Sequence, residues 1–464
     1  MTEETSTNGI SKSADWLDAE TFDKDPSRLS GAIFVFLCFV PMIFTVAYGG
    51  VDVWALGFQA IFVGVIAVLW LLESFFTKEF RFSTNLLQIP IIGLLLIGLI
   101  QLLPLRSADV SLAVSAVSSL SLDAYSTRFA IIQLLIYLVF FAAALTFINS
   151  RKRLQRLVSG IIIFASVMAF FGILQRLANL EAIYGLRPSP QAIPFASFVN
   201  SHHFAAFMEM TIGLTVALVF GNAVKKDKNP LLIISAVIMG IALILTSSRG
   251  GFLSLLGVLA FVITANLLSK KDSEGTSNFR RNFAVVGGGI ALVLVLFGAV
   301  FLLGGDQSLL RGVGLQNASA DLSSGRTHFW QVALKIFVDY PFLGVGLNAF
   351  GTAFPSYDTW NGNFRIEQTH NDYLQMLVEA GILGFLCIAG FIALLFKQTF
   401  RTLSKTSDVF RRHTAIGALA GCFGVLIHSF FDFPLRTPSN TFFFLILVVI
   451  ATVSIGFPKT EARA

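Results

Sequence analysis

The chain reads as an all-α polytopic membrane protein, and three observations carry that reading. Hydrophobic residues form 55% of the 464 and charged residues only 13%, about half of the roughly 25% that a soluble domain needs to cover its surface. Mean hydropathy is +0.76. The apolar residues come in blocks of about 20, the length that crosses a ~30 Å hydrocarbon core as a helix. Twelve blocks are legible, at 30–48, 54–76, 86–104, 129–148, 156–176, 204–222, 230–246, 251–268, 283–304, 372–396, 413–431 and 440–457.

Ahead of the first block, residues 1–29 form a polar tail in which seven acids, from Glu3 to Asp25, outnumber three bases. No basic stretch with a short apolar run and a cleavage site opens the chain, so no cleaved signal peptide is expected. The tail reads as a disordered cytoplasmic extension. Spans one to nine occupy 30–304, a large loop fills 305–371, and 372–464 carries the last three spans and a short tail.

Twelve spans return the chain to the side on which it starts. The connections then alternate in character, and one set is basic: Lys78 and Arg81; Arg151, Lys152, Arg153 and Arg156; Lys225, Lys226 and Lys228; Lys270, Lys271, Arg280 and Arg281; and five from Lys397 to Arg412. With the termini, that side gathers 23 of the 33 lysines and arginines. Cytoplasmic loops carry the Lys/Arg excess, so both termini are expected inside and the large loop outside. Of six histidines, only His413 falls on the basic side. His202, His203, His328, His370 and His428 collect on the other. Cys38, Cys387 and Cys422 lie inside apolar blocks, which indicates neither a disulfide nor a thiolate metal site.

The outer segments carry the chemistry. Asn200 and Ser201 suit the cap of the sixth block, and for Asn200 a substrate role is equally open. His202 and His203 fit the membrane interface beside that cap. Between blocks seven and eight there is almost no loop, only Thr246-Ser247-Ser248-Arg249-Gly250-Gly251. A guanidinium left in hydrocarbon costs ~2.5 kcal/mol or more, so Arg249 needs water or a partner. Its glycines allow a sharp turn and a close approach, and the helix start favours an anion.

In the large loop, Arg326 to Tyr340 reads as a short amphipathic helix, with Phe329, Trp330, Ala333, Ile336, Phe337 and Tyr340 at three- and four-residue spacing. It is expected to lie on the membrane surface, aromatic side down, with Ser323 or Ser324 as its cap. Arg326 in its first turn is unfavourable for the helix dipole unless an anion sits there. Pro341 to Gly346 forms a tight turn, and Phe350, Phe354, Tyr357, Trp360 and Phe364 follow without period, as packing residues or sugar-stacking ones. His370-Asn371-Asp372 starts the tenth block, with Glu379 about 12 Å down it at ~1.5 Å per residue, where a carboxylate should face the interior and pair. His428 and Asp432, four residues apart, are placed to pair with each other, and Arg436 closes the set.

This inventory excludes several chemistries. There is no Walker-type phosphate loop, no His-Glu-x-x-His metal motif and no Asp-x-Asp pair for a divalent ion on a sugar nucleotide, so neither metal nor cofactor nor nucleic acid is expected. Arginines suit a diphosphate already attached to a lipid, and a neutral histidine can take the proton of an attacking hydroxyl.

Ser247-Ser248-Arg249-Gly250-Gly251, Ser324-Gly325-Arg326 with Phe329-Trp330, the turn from Pro341 to Gly346, and His370-Asn371 through Glu379-Ala380-Gly381 together resemble the O-antigen ligase and O-antigen polymerase superfamily, over roughly residues 190–440. The resemblance implies a metal-independent, inverting glycosyltransferase that uses an undecaprenyl-diphosphate-linked glycan as donor and a lipid A core sugar or another glycan as acceptor. Carried over by motif, Arg249 and Arg326 hold the diphosphate and His370 activates the acceptor. Asn200, Asn371, His428, Asp432 and Arg436 are the substrate-binding candidates. Ligase and polymerase stay open, since acceptor choice lies in variable loops. A solute transporter is the alternative from another class; it would place polar groups near the bilayer midplane on repeated, broken helices, whereas here the singular charges gather at one rim.

Overall fold

The computed structural model describes residues 27–105, 118–180, 182–189, 192–269, 325–360, 366–453 and 455. Its helices are α1 (Arg28–Val46), α2 (Val53–Thr77), α3 (Gln88–Gln101), α4 (Ala124–Phe147), α5 (Arg151–Leu177), α6 (Ser201–Phe220), α7 (Asn229–Leu245), α8 (Arg249–Ser269), α9 (Arg326–Asp339), α10 (Asp372–Lys405), α11 (Val409–His428) and α12 (Pro438–Thr452). Among the described residues the only paired strands are Ala182–Ile183 and Arg187–Pro188. Eleven of the twelve predicted blocks coincide with one of these helices. The ninth, 283–304, lies outside the described residues, as do Ser323, Ser324 and Phe364.

Eight of the described helices are long and apolar enough to cross a membrane, and α3 and α12 are shorter apolar helices. The chain is an all-α polytopic membrane protein. Its outward surface agrees: on α2, Val53, Phe58, Ile61, Leu71, Phe75 and Phe76 are half or more exposed, an apolar face that a soluble monomer rarely carries.

Side-chain caps set the helix starts. Asp123 accepts from Ser126 N at the start of α4, Ser150 from Arg153 N at α5, and Asp408 from Arg411 N at α11. Each satisfies one of the orphan donors of a first turn.

The centre of the bundle is α6, with 89% of its apolar window buried. It packs on α11 backbone to backbone: a Cβ on Gly213 would come within 2.8 Å of Gly417 O and Gly421 N. Small residues allow that approach where no hydrophobic effect drives helices together.

The bundle has two distinct ends. At one, Arg151 pairs with Asp408 at 3.1 Å, and the Arg411 guanidinium donates to the carbonyls of Ile450, Ala451 and Val453. At the other, Ser201 Oγ donates to Thr246 O, Asp372 N to Ser429 O and Asn440 Nδ2 to His203 O. The starts of α6, α8 and α10 and the ends of α7 and α11 therefore meet there.

α10 is kinked at Gly381, whose φ of 64° and ψ of −164° only glycine adopts readily. The Pro341–Gly346 turn docks into the kink. Val345 N and Gly346 N donate to the carbonyls of Val378 and Glu379, while Ile382 N and Leu383 N donate to those of Pro341 and Phe342. The loop thus takes over backbone groups that the break sets free.

α9 has the bounds that its period predicts, but its aromatic face is not turned to lipid. Phe329, Val332, Ala333 and Ile336 are buried in a second core with Leu122, Val345, Phe350, Phe354 and Val378. The physical reason is supply: the turn beyond the helix and α10 provide protein surface for that face, and burial there also covers Phe350 and Phe354. The exposed apolar residues of α9 are Leu334 and Val338.

Candidate active site

Asp432, in the turn after α11, is buried, with a side chain only 3% exposed. It accepts from His370 Nδ1 at 3.1 Å. Burial alone would raise its carboxyl; the His370 bond and the charges of His202 and His203 outweigh burial and hold it well below the usual aspartate range. A carboxylate at Nδ1 fixes the tautomer that leaves Nε2 with its lone pair. The His370 side chain is 32% exposed, so the ring is not sealed from its surroundings.

The backbone holds His370 tightly. Its φ is +54°, in the left-handed region, and both neighbours are pinned. Trp330 Nε1 donates to Thr369 O at 3.0 Å, and Thr369 N donates to Gln375 Oε1 at 2.6 Å. On the other side Asn371 caps α10, its Oδ1 accepting from Tyr373 N and Leu374 N. The imidazole lies against Phe433, centroids 4.9 Å apart, and Phe329, at 6.3 Å.

Arg326 is the first residue of α9. Burial lowers its guanidinium pKa; Asp432 opposes that and Arg249 adds to it. The two arginines and the aspartate therefore share one electrostatic neighbourhood, and among the described residues no hydrogen bond ties Arg326 down. Arg249 starts α8 half-buried. The sharp turn before it is made by Ser247, with φ +58°, and not by the glycines. Those serve close approach: a Cβ on Gly250 would sit 2.9 Å from the His428 ring, and one on Gly251 2.7 Å from Ala205. Ser248 Oγ accepts from Gly251 N at 3.1 Å, so it caps α8.

The remaining candidates have structural engagements. Asn200 Oδ1 caps α6 by accepting from His202 N at 2.9 Å. Arg436 forms an ion pair with Glu379, whose side chain is 1% exposed, and also donates to Asn348 Oδ1. Burial works against the Arg436 charge, but Glu379 outweighs it and the guanidinium pKa is raised. The interior pairing expected for Glu379 is thus present, and its partner is one of the rim arginines.

His428 and Asp432 do not pair side chain to side chain. Only their backbones meet, Asp432 N donating to His428 O at 3.0 Å. At the end of α11 the next turn swings Asp432 toward His370 and leaves His428 facing α6, where Glu209 lies 3.2 Å from its Nδ1. Glu209 is fully buried and was missed by the sequence reading. Its signal is present: it is the single acid in the apolar helix Ser201–Phe220, and an ionisable group there should have a partner. His203 lies beside this group, its Nδ1 2.6 Å from Thr437 Oγ1. His328 is engaged elsewhere, with Asp358 at 2.6 Å and stacked on Trp360 at 4.1 Å. Among the described residues no group of three or more His, Cys, Asp or Glu is arranged to hold a metal ion.

What the arrangement offers is a histidine backed by a buried carboxylate, with two arginines from the starts of separate helices beside it. Among curated proteins none matches this chain. Residues 234–389 match the family model of the O-antigen ligase, a stretch that runs from α7 into α10 and includes Arg249, Arg326 and His370. That match supports a glycosyltransferase-like function of O-antigen ligase or polymerase type in polysaccharide biosynthesis. The chain thus carries an O-antigen ligase domain over residues 234–389, which supports the O-antigen ligase superfamily.

Proposed function

We propose that the protein transfers a glycan from an undecaprenyl-diphosphate carrier to a sugar hydroxyl, a lipid A core sugar being the acceptor, at the periplasmic face of the bacterial inner membrane. The observation that carries this reading is the His370–Asp432 hydrogen bond, with Arg326 within electrostatic reach of Asp432 and of Arg249. His370 Nε2 takes the proton of the acceptor hydroxyl as its oxygen bonds to the anomeric carbon. The bond from that carbon to the diphosphate oxygen breaks on the opposite face, so configuration inverts. The electron pair leaves with the diphosphate, whose charge the two guanidinium forks receive. Asp432 stays ionised and stabilises the imidazolium that forms. The assignment of this face to the periplasm rests on the Lys/Arg excess of the opposite loops.

The test is transfer in proteoliposomes from a lipid-diphosphate glycan. His370→Ala is expected to abolish transfer while the melting temperature holds; unchanged transfer removes the base assignment. A gel of surface polysaccharide from a deletion strain separates the acceptors. Lipid A without chains, with lipid-linked polymer retained, means ligase. Single repeats on lipid A mean polymerase.

A further inference from the structure

Away from these residues, a cavity of about 350 Å³ opens between the end of α5 and the segment that leads to α6. That size lies at the lower end of the roughly 300–1,000 Å³ of small-molecule sites. Gln175, Arg176, Asn179, Ser189, Ile193 and Phe195 are among its lining residues.

Gln175 is the unusual one. It is 4% exposed, and among the described residues neither its Nε2 nor its Oε1 has a hydrogen-bond partner. Buried polar groups are almost always paired; among the described residues Asn229, Gln368 and Asn440 lack a partner at the amide oxygen alone, and Gln175 lacks one at both ends. Gln101 Nε2 donates to Leu343 O and Glu379 O while its Oε1 accepts from Leu347 N. Gln375 pairs with Thr369 N and Glu379, and Gln88 with Ser83 O. An amide with both ends unmet, in the lining of a cavity, suits a ligand that both donates and accepts.

The segment that carries part of the cavity wall is anchored at several points. Arg187 forms two bonds to Asp52, at 2.5 and 2.8 Å, and Tyr184 OH donates to Val46 O. Ser201 N donates to Ile193 O at 2.8 Å, which ties the wall to the first residue of α6 and so to Asn200 and His202. Ser189 Oγ gives its proton to Val199 O at 3.1 Å and keeps its acceptor side. Leu180, Pro194 and Phe195 add apolar surface. Amide and hydroxyl groups beside an apolar wall match a pyranose, which has a hydroxyl rim and an apolar face.

We propose that this cavity is a sugar subsite, taking one residue of the glycan at a distance from the reacting bond, with the Gln175 amide as its central contact. That the sugar belongs to a glycan in transfer rests on the function proposed above. The test uses the full chain in nanodiscs and an oligosaccharide released by mild acid from the producing cell's surface polysaccharide, with saturation-transfer NMR as readout. The wild type is expected to bind. Gln175→Leu is expected to weaken binding at least tenfold with an unchanged or raised melting temperature, since it removes no side-chain hydrogen bond within the protein. Asn179→Ala, at the exposed rim, should weaken binding too, and Arg326→Ala should not. No saturation transfer to the wild type, or equal binding by Gln175→Leu, overturns the subsite. Binding lost in Arg326→Ala and kept in Gln175→Leu places the sugar at the arginines and also overturns it. Binding without glycan transfer by the wild type retires the transferase reading alone; transfer without binding retires the subsite alone.

Discussion

Replacing Arg436 with methionine separates a structural arginine from a substrate-binding one. The guanidinium pairs with Glu379 and donates to Asn348. Without it Glu379, 1% exposed, keeps only Gln375 Nε2 at 2.7 Å as a side-chain partner. Leaving one member of a buried pair uncompensated costs about 3–5 kcal/mol. Glu379→Gln should cost less, because the Arg436 side chain is 23% exposed and can turn to water. The double variant Arg436→Met with Glu379→Leu should recover most of the loss, as apolar replacement of whole buried pairs does. The assay is chemical unfolding of the purified protein, with glycan transfer measured on the same samples. If Arg436 only shapes the α10 kink, the double variant regains both stability and transfer. If it grips the diphosphate, stability returns and transfer does not. A single Arg436→Met variant as stable as the wild type would refute the premise that the pair is buried and mutually dependent.

Two further outcomes follow from the same geometry. Gly381→Ala puts a Cβ 2.3 Å from the Phe342 carbonyl and forces a φ of +64° on an L residue; the backbone alone costs about 1–3 kcal/mol, so unfolding should come at lower denaturant, and an unchanged midpoint would count against the docked turn. Asp432→Asn should lower kcat by about 10²–10⁴-fold, the usual share of general acid–base catalysis. Because the folded Asp432 carboxyl titrates below the unfolded one, its stabilisation is complete above about pH 4 and declines as pH falls below that. The wild type should therefore lose stability more steeply than Asp432→Asn below about pH 4; parallel curves would show that the carboxylate is not held by its histidines.

The helices were legible because span length and apolarity are local properties, and eleven of the twelve blocks coincide with a helix, α10 running nine residues past its block to Lys405. The α9 period and the Pro341–Gly346 turn were legible for the same reason. Glu379 was recognisable as an interior carboxylate from its depth alone. Its partner was not, because Arg436 lies 57 positions away and the pair depends on how α10 and the loop after α11 pack. The exchange of partners at His428 has the same origin: Glu209, 219 positions earlier, reaches it only because glycines let α6 and α11 touch. The orientation of α9 was misjudged because a period says which face is apolar and not what will cover it.

The field at the site has a source beyond the two arginines. α6, α8, α9 and α10 begin around it, and the first turns of α6, α8 and α9 hold no acid. A helix start carries roughly half a positive charge, and first-turn acids commonly offset it. Here Asp372 in α10 is turned away to Ser429 Oγ at 3.0 Å. The counter-charge is instead concentrated in Asp432, which is already engaged with His370. Helix starts and guanidinium groups together thus exceed the fixed negative charge, which favours a multiply charged anion over a neutral solute. Each of Arg249, Arg326 and His370 also sits at or just before a helix's first residue, where backbone packing and not a flexible loop sets its position. That placement suits a reaction in which the leaving charge and the accepted proton must be met at fixed points.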